Sequence, residues 1–546
     1  MNMKWPRPEA YVCKAKESRI VRRIWFIAFV ALLLGLGAAF AQNKTLIIAV
    51  PSDIQNLDPT LSSGDILTQE VLTNLYGTLV SFKVEKNANG ELVGNPDQFQ
   101  GDLAKSFDVS SDGHTVTFHL RPGLKFANGD PIDANAVKFT YDRIFGQNGV
   151  TAFLTKMASV DNKDAVKVVD PSTVTFHVTT PNTLLFGNMS QFGHSILDPA
   201  VVKPHMTKDD PWAHDWLKNH AQGTESGPYI LKSWDPGNQI VLERNPNYYG
   251  TVANDRIILK IIPDASNRLA QLEAGAVDLA YGIPTKDLAL LKEDPNVKLA
   301  IHTTRAVAYL GMNNTVKPFD NVKVRQAISY AVPYKTIIDK VINGYGIQLT
   351  SPIPKGTPYH TDQYFHYKQD FAKAKQLLSE AGYPKGFNTS FEIPNDSAEA
   401  KQTAVWIQSA LKNIGVNVQI DELPGAAFTA KMQKRQLTFF YANQWISINN
   451  DPFYHMFWLL KADCCDYARY TNQQVWDLIS KYTLSTDKQA REQAAMDIQK
   501  TVVDQAPWVF LYQPDNVIAM RKDVTGYVWF SADRYMRYQY LRRTDW

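Results

Sequence analysis

Few side chains of this chain are spaced for chemistry. Its 11 histidines are scattered, and the densest group, His205, His214 and His220, is interleaved with Trp212 and Trp216. Neutral imidazoles are good metal ligands, but this spacing matches no structural zinc pattern. Surface-loop histidines are the favoured reading. A G-x-S-x-G elbow, an H-E-x-x-H helix and a Gly-rich phosphate loop are all missing from the sequence. A secreted hydrolase working through a cleft carboxylate would need a nucleophile and a base within reach of each other, and no such pair stands out. The chain therefore reads as a non-enzyme without a cofactor or metal. The remaining reactive pair is Cys464 and Cys465. Neighbouring Cα atoms lie about 3.8 Å apart across a trans peptide, closer than the roughly 4.4 Å of ordinary disulfides. In an oxidising compartment, however, spare thiols rarely stay reduced, so a vicinal disulfide is favoured over a reduced or metal-binding pair.

The N-terminus argues for such a compartment. Ile24 to Ala41 is an apolar run preceded by Arg19, Arg22 and Arg23 and ending in Ala39-Phe40-Ala41. That is the pattern of a secretory signal peptide over residues 1–41, cleaved before Gln42; a membrane anchor is the competing reading, since the run is near the lower limit for spanning. No Cys follows the run, so no bacterial lipoprotein attachment site is expected, and Cys13 would leave with the leader. Residues 1–41 carry seven Lys/Arg and two Asp/Glu. The chain beyond them has 50 basic and 52 acidic residues, a net charge near −2. Such a balance points to no nucleic-acid or anionic-membrane partner.

The 546 residues are too many for one ordinary domain, and length alone suggests about three. No low-complexity tract or long linker separates them, which fits lobes formed by a chain that crosses back and forth. Lys44–Val50 is a short buried-strand run. Asp112-Gly113 is a tight-turn pair, and after it Val116, Phe118 and Leu120 alternate with Thr115, Thr117 and His119, which is strand periodicity with one buried face. Arg121-Pro122-Gly123 breaks that strand, and Asp133 stands where an N-cap should stand ahead of Ala134–Tyr141. The hexapeptide at Thr115 nearly recurs at Thr173, which predicts two strands of one sheet with the same burial pattern.

The order of these residue types from Asp112 to Arg143 resembles family 5 of the extracellular solute-binding proteins, the peptide- and nickel-type receptors that feed ABC importers. The likeness continues in Asn56-Leu57-Asp58-Pro59 with the following Ser/Gly loop and helix ending at Leu75–Val80, in Ser226-Gly227-Pro228-Tyr229 and Asn245–Gly250, in Arg268–Ala280, in Pro318-Phe319 and Val324–Ile328, in Phe371–Phe387 and in Trp406–Val418. It spans about Lys44 to Val528. Glu225-Ser226 departs from the more usual Gly-Thr. The resemblance implies an α/β, two-lobe periplasmic-binding-protein clamshell of type II with three domains, its mixed sheets flanked by helices. Domain I is expected over residues 42–82, 192–280 and 518–546, domain II over 83–191 and domain III over 281–517. It implies a monomeric periplasmic receptor that captures a peptide or a peptide-like small polar solute, closes about a hinge and delivers it to the ABC permease subunits in the inner membrane. A non-peptide ligand such as a sugar or metal chelate, or docking on a chemosensor, is the alternative.

By position, the resemblance places ligand contacts at Ser62, Ser63 and Gly64 and at Gln191, Phe192, Gly193, His194 and Ser195 on one lobe. On the other it places them at Lys401, Gln402 and Trp406 and in the Trp445–Pro452 loop with Ser447, Ile448 and Asn449. Peptide receptors of this family carry an Asp three residues after that Trp, which pairs with the ligand's α-ammonium group; here the position is Ile448. Burying an unpaired ammonium costs several kcal/mol. Either another acid supplies the pairing, or the ligand has no free N-terminus there. The Arg that meets a peptide carboxylate falls near Lys401 or Gln402, and a Lys offers only a point charge where an Arg offers a bidentate fork.

Overall fold

The apolar run at the start of the predicted fold becomes a strand with its neighbours on both sides. The computed structural model describes residues 44–61 and 65–546, with Thr45–Trp546 forming one unit. The leader reading of residues 1–41 and the Ser62–Gly64 loop lie outside the described residues. Thr45–Val50 is paired in parallel with Arg256–Ile261 on one side and Leu279–Ala280 on the other. A strand enclosed in this way reads as a near-continuous hydrophobic run, which is why Leu46, Ile48, Ala49 and Val50 are all fully buried.

These strands belong to a sheet of 12. One path across it runs Asn417–Leu423, Asn388–Pro394, Phe439–Trp445, Val307–Met312, Trp508–Arg521, Leu279–Ala280, Thr45–Val50, Arg256–Ile261, Gln239–Arg244 and Tyr229–Asp235. The 14-residue strand Trp508–Arg521 joins its two halves. Trp508 to Tyr512 pair with Val307–Met312, whereas Asp515 to Arg521 pair with Val297–Thr303. Between these stretches stands Pro514, which has no N–H to give a ladder. Its carbonyl instead accepts from the backbone N–H and Oγ1 of Thr304, at 3.2 and 2.7 Å. The side chain of Gln513 spans the same point, donating to the carbonyl of Thr304 at 3.0 Å and accepting from the N–H of Lys355 at 2.7 Å.

The Asp112 to Arg143 segment forms the elements its residue types predict. Ala104–Val109 and Thr115–Leu120 pair antiparallel around Gly113, whose φ of 75° suits a tight turn. Thr115–Leu120 then pairs with Thr173–His177, so the two near-identical hexapeptides lie side by side with Val116 opposite Phe176 and Phe118 opposite Val174. The helix Ala134–Gln147 starts at Asp133, whose Oδ1 accepts from the N–H of Ala136 at 2.9 Å.

Three large apolar clusters back these sheets. One is drawn from residues 307–512, with Leu310, Ile328, Ile407 and Phe439 among its members. A second gathers Leu46, Val71, Leu242, Leu259 and Tyr538, distant in the chain but close around the first half of the sheet. The third holds Phe118, Val137, Tyr141 and Phe176 from residues 79–196 and one outsider, Tyr454. Among the described residues no helix is long and apolar enough to cross a membrane.

Candidate functional site

Parallel strands of open α/β sheets leave a crevice beyond their carboxyl ends, which is where ligands bind. Here the chain leaves Thr45–Val50 as Pro51-Ser52 and leaves Leu279–Ala280 as Tyr281-Gly282-Ile283, and both exits line a cavity of about 340 Å³. Pro514 to Ile518 of the long strand form another wall. Helix Ile66–Leu75 presents its first turn, and Glu399 arrives from a helix packed on the other half of the sheet. Tyr527, Arg534 and Met536 of the C-terminal segment complete the lining. The volume suits a small ligand.

Each polar wall group has a local reason for its position. Asp65 caps helix Ile66–Leu75, accepting from the N–H of Thr68 at 2.9 Å. Glu70, one turn further on, accepts from the hydroxyls of Tyr281 and Tyr538 and from the N–H of Met536 at 2.8 Å. Burial nevertheless pushes its carboxyl up to about 7, against the lowering effect of those donors. Asp515 accepts from Thr303 Oγ1 at 2.8 Å and is raised by burial. Glu399 lies in the first turn of helix Ala398–Lys412, which Ser397 caps. It accepts from Asn443 Nδ2 at 3.1 Å, and burial raises its carboxyl too. Arg534 takes a left-handed backbone, φ 67°, and its buried Nε has no hydrogen-bond partner. Burial lowers its pKa.

The described residues that the sequence singled out do not line this cavity. Gln191 is buried, with Nε2 on the carbonyl of Gly187 at 3.4 Å and Oε1 unpartnered. Phe192 is half-buried, edge-on to Tyr535, and lines a smaller cavity with Asp102, Tyr248 and Tyr249. A Cβ on Gly193 would stand 2.5 Å from Thr151 Oγ1. His194 is buried with Nε2 at 2.9 Å from Thr155 Oγ1, and burial pushes its pKa down to about 4. Ser195 Oγ donates to the carbonyl of Phe192. Lys401 is exposed and pairs with Glu422 at 2.8 Å, Gln402 is exposed, and Trp406 is 40% exposed. Trp445 lies edge-on to His455.

The structure does bring two of the predicted segments together. Asn449 Nδ2 donates to Asn188 Oδ1 at 2.5 Å, just before Gln191, and Ile448 packs on the cluster formed by residues 79–196. Ser447 Oγ donates to the carbonyl of Asn449 at 2.8 Å. Arg305 holds this loop from behind: its guanidinium donates to the carbonyls of Ser447 and Asn449 and also to those of Ser531 and Ala532, at 3.0 to 3.3 Å. Asn450 reaches Asp97 at 2.8 Å and Thr183 reaches Asp451 at 3.0 Å. The loop is thus a bridge onto the 79–196 region. Arg305, Glu399 and Arg534 carry no motif that would single them out. Glu399 stands two residues before Lys401, on the turn of the helix that faces the cavity.

The histidine group does not converge. His205 and His220 each stack on Trp216, and His214 Nδ1 sits 2.6 Å from Asp58 Oδ2. Among the described residues there is no cluster of three metal-ligating side chains. Cys464 and Cys465, with Cα atoms 3.8 Å apart, are joined through their sulfurs.

A mixed sheet whose two halves share one long strand, with a cavity walled from both halves at the strand ends, is the α/β architecture expected of a two-lobe binding protein. Comparison with known proteins places it more narrowly. Residues 98–463 match the model of the bacterial extracellular solute-binding proteins, family 5, and the chain belongs to that family. It is 31% identical over 499 residues to the probable D,D-dipeptide-binding periplasmic protein DdpA of Escherichia coli (strain K12), covering 90% of this chain and 92% of that protein. It is 28% identical over 519 residues to the glutathione-binding protein GsiB of Pectobacterium atrosepticum, covering 93% and 96%. Its fold matches the crystal structure of a dipeptide-binding protein from Pseudoalteromonas sp. SM9913 with a TM-score of 0.79 at 23% identity, over 92% of this chain and all of that one.

Proposed function

We propose that this protein is a periplasmic receptor of an ABC importer that captures a short peptide or peptide-like solute between two lobes and hands it to a permease in the inner membrane. The observation that carries this reading is the cavity at the strand ends, lined from both halves of the sheet across Pro514. Relatives named for D,D-dipeptides and glutathione support a peptide-like ligand. The apolar clusters support the division into domain I (42–82, 192–280 and 518–546), domain II (83–191) and domain III (281–517). The chain acts as a monomer, after removal of residues 1–41, and needs no cofactor. The Cys464–Cys465 bond belongs to this oxidising location. Alkylation of the periplasmic protein without reductant should add nothing to its intact mass, and two added groups would show free thiols.

Calorimetry with D-alanyl-D-alanine, L-alanyl-L-alanine and glutathione tests the reading, with chromatography of each ligand after overnight incubation. Saturable binding at about micromolar Kd with intact ligand recovered is the expected result. Consumption of the ligand would make the protein an enzyme. Binding of a sugar or metal chelate with no response to any peptide would overturn the ligand class.

A further inference from the structure

The cavity is unevenly charged. Among the described residues, four carboxyls line it, those of Asp65, Glu70, Asp515 and Glu399, against one basic side chain, Arg534. The carboxyls differ in how far the protein satisfies them. Asp65 is spent on the helix cap, and Glu70 accepts three hydrogen bonds. Asp515 is held by Thr303. Glu399 accepts only the amide of Asn443, at 3.1 Å, of the roughly four acceptor sites an ionised carboxylate offers. Arg534 is the counterpart: a guanidinium whose Nε–H is buried and meets no acceptor. A buried N–H without an acceptor and a carboxylate with acceptor sites to spare are costly, and a ligand group of opposite charge removes that cost on binding.

We propose that Glu399 and Arg534 are the two charge anchors of this cavity, Glu399 receiving an ammonium group and Arg534 a carboxylate of one short zwitterionic ligand. The assignment rests on the reading of the protein as a receptor for peptide-like solutes, and it deepens that reading by naming the ends the ligand must present. It also accounts for Ile448. That side chain is packed on the 79–196 cluster, so an acid there is not needed: the negative charge is supplied from the first turn of helix Ala398–Lys412. Burial raises the carboxyl of Glu399, in keeping with an acid that gains from a cationic partner. Arg534, with its planar fork, can take a carboxylate through two parallel hydrogen bonds.

The test pairs protein variants with blocked ligands. The tightest binder among D-alanyl-D-alanine, L-alanyl-L-alanine and glutathione is prepared with its amine acetylated and, separately, with its C-terminal carboxylate amidated. Each form is titrated into wild type, Glu399→Gln and Arg534→Gln, all checked by circular dichroism and melting. In wild type, each block should weaken binding about 30-fold or more. In Glu399→Gln, the acetylation penalty should fall below about threefold while the amidation penalty persists. Arg534→Gln should show the reverse. Should Arg534→Gln fail to fold, Arg534→Lys takes its place, and the amidation penalty should shrink but remain, because a Lys keeps the charge without the fork. Penalties as large in the variants as in wild type would overturn the anchors while leaving the receptor reading intact. Failure of all three unblocked ligands to bind wild type at millimolar concentration would overturn both.

Discussion

Two arginines of this protein, Arg143 and Arg534, meet opposite fates. Arg143 is fully buried, and its guanidinium donates to both carboxylate oxygens of Asp58, at 2.9 and 2.6 Å, to Thr60 Oγ1 and to the carbonyl of Trp212. Asp58 is in turn touched by His214. Burial alone would raise the Asp58 carboxyl, but the charge of Arg143 and the hydrogen bonds from His214 and Arg143 outweigh it and hold it at about 2. Arg534, in the cavity wall, leaves its Nε unsatisfied. The first is a closed charge system that secures the Asn56–Pro59 turn to helix Ala134–Gln147. The second is open, with capacity left for something the chain does not contain. Completeness of partnering, rather than burial, separates a structural charge from a binding one.

The largest effect should come from breaking the closed system. Arg143→Met strands the Asp58 carboxylate in the interior and should cost about 3–5 kcal/mol of stability, read by urea denaturation. Arg534→Gln, in the same assay, should cost less than about 1 kcal/mol, because it removes no paired partner. Equal losses would erase the distinction.

A second, smaller effect concerns Glu225, buried and pushed up to about 7 by burial despite the N–H groups of Gly223 and Leu231 that it accepts, at 2.7 and 3.1 Å. The folded protein keeps this proton between the ordinary glutamate value of 4.5 and about 7, where the unfolded chain has lost it. Stability from this group therefore falls as pH rises through that window. Glutamine has no proton to lose, so Glu225→Gln should gain on wild type by on the order of 2 kcal/mol between about pH 5 and pH 8. Melting curves that shift in parallel at the two pH values would count against it.

Next comes the bridge. A Cβ at Gly187 would stand 1.7 Å from Asn449 Oδ1, so Gly187→Ala displaces the Asn449 side chain and with it the Asn449–Asn188 bond that ties the loop to the 79–196 region. Ligand affinity should weaken about tenfold. A change in melting temperature with no change in affinity would make the contact purely architectural. The smallest effect is expected at Lys401, exposed and paired with Glu422. Lys401→Gln should leave affinity within about twofold, and a larger loss in calorimetry would restore it to the ligand's path.

Much of the framework was legible in the residues. The alternation at Thr115–Leu120, its echo at Thr173 and the cap at Asp133 each correspond to an observed element, because burial of one strand face and satisfaction of a helix's first N–H groups are local demands. The likeness to relatives pointed to the Trp445–Pro452 loop and to the segment around Gln191, and Asn449 does bond Asn188, three residues before Gln191. What they could not convey was direction. Lys401 and Glu399 share a helix, yet only Glu399 faces the cavity, and its start relative to the sheet is set by packing against Asn388–Pro394 and Asn417–Leu423.

By itself, the sequence determined the family, the α/β class and the local elements, since periodicity, turn chemistry and caps act within a few residues. Only the tertiary structure decided which charges are complete. Asp58 finds Arg143 and His214 at separations of 85 and 156 residues, while Arg534 finds no acceptor for its Nε. Electrostatic compensation depends on distance and solvent exclusion in space, and neither is written along the chain.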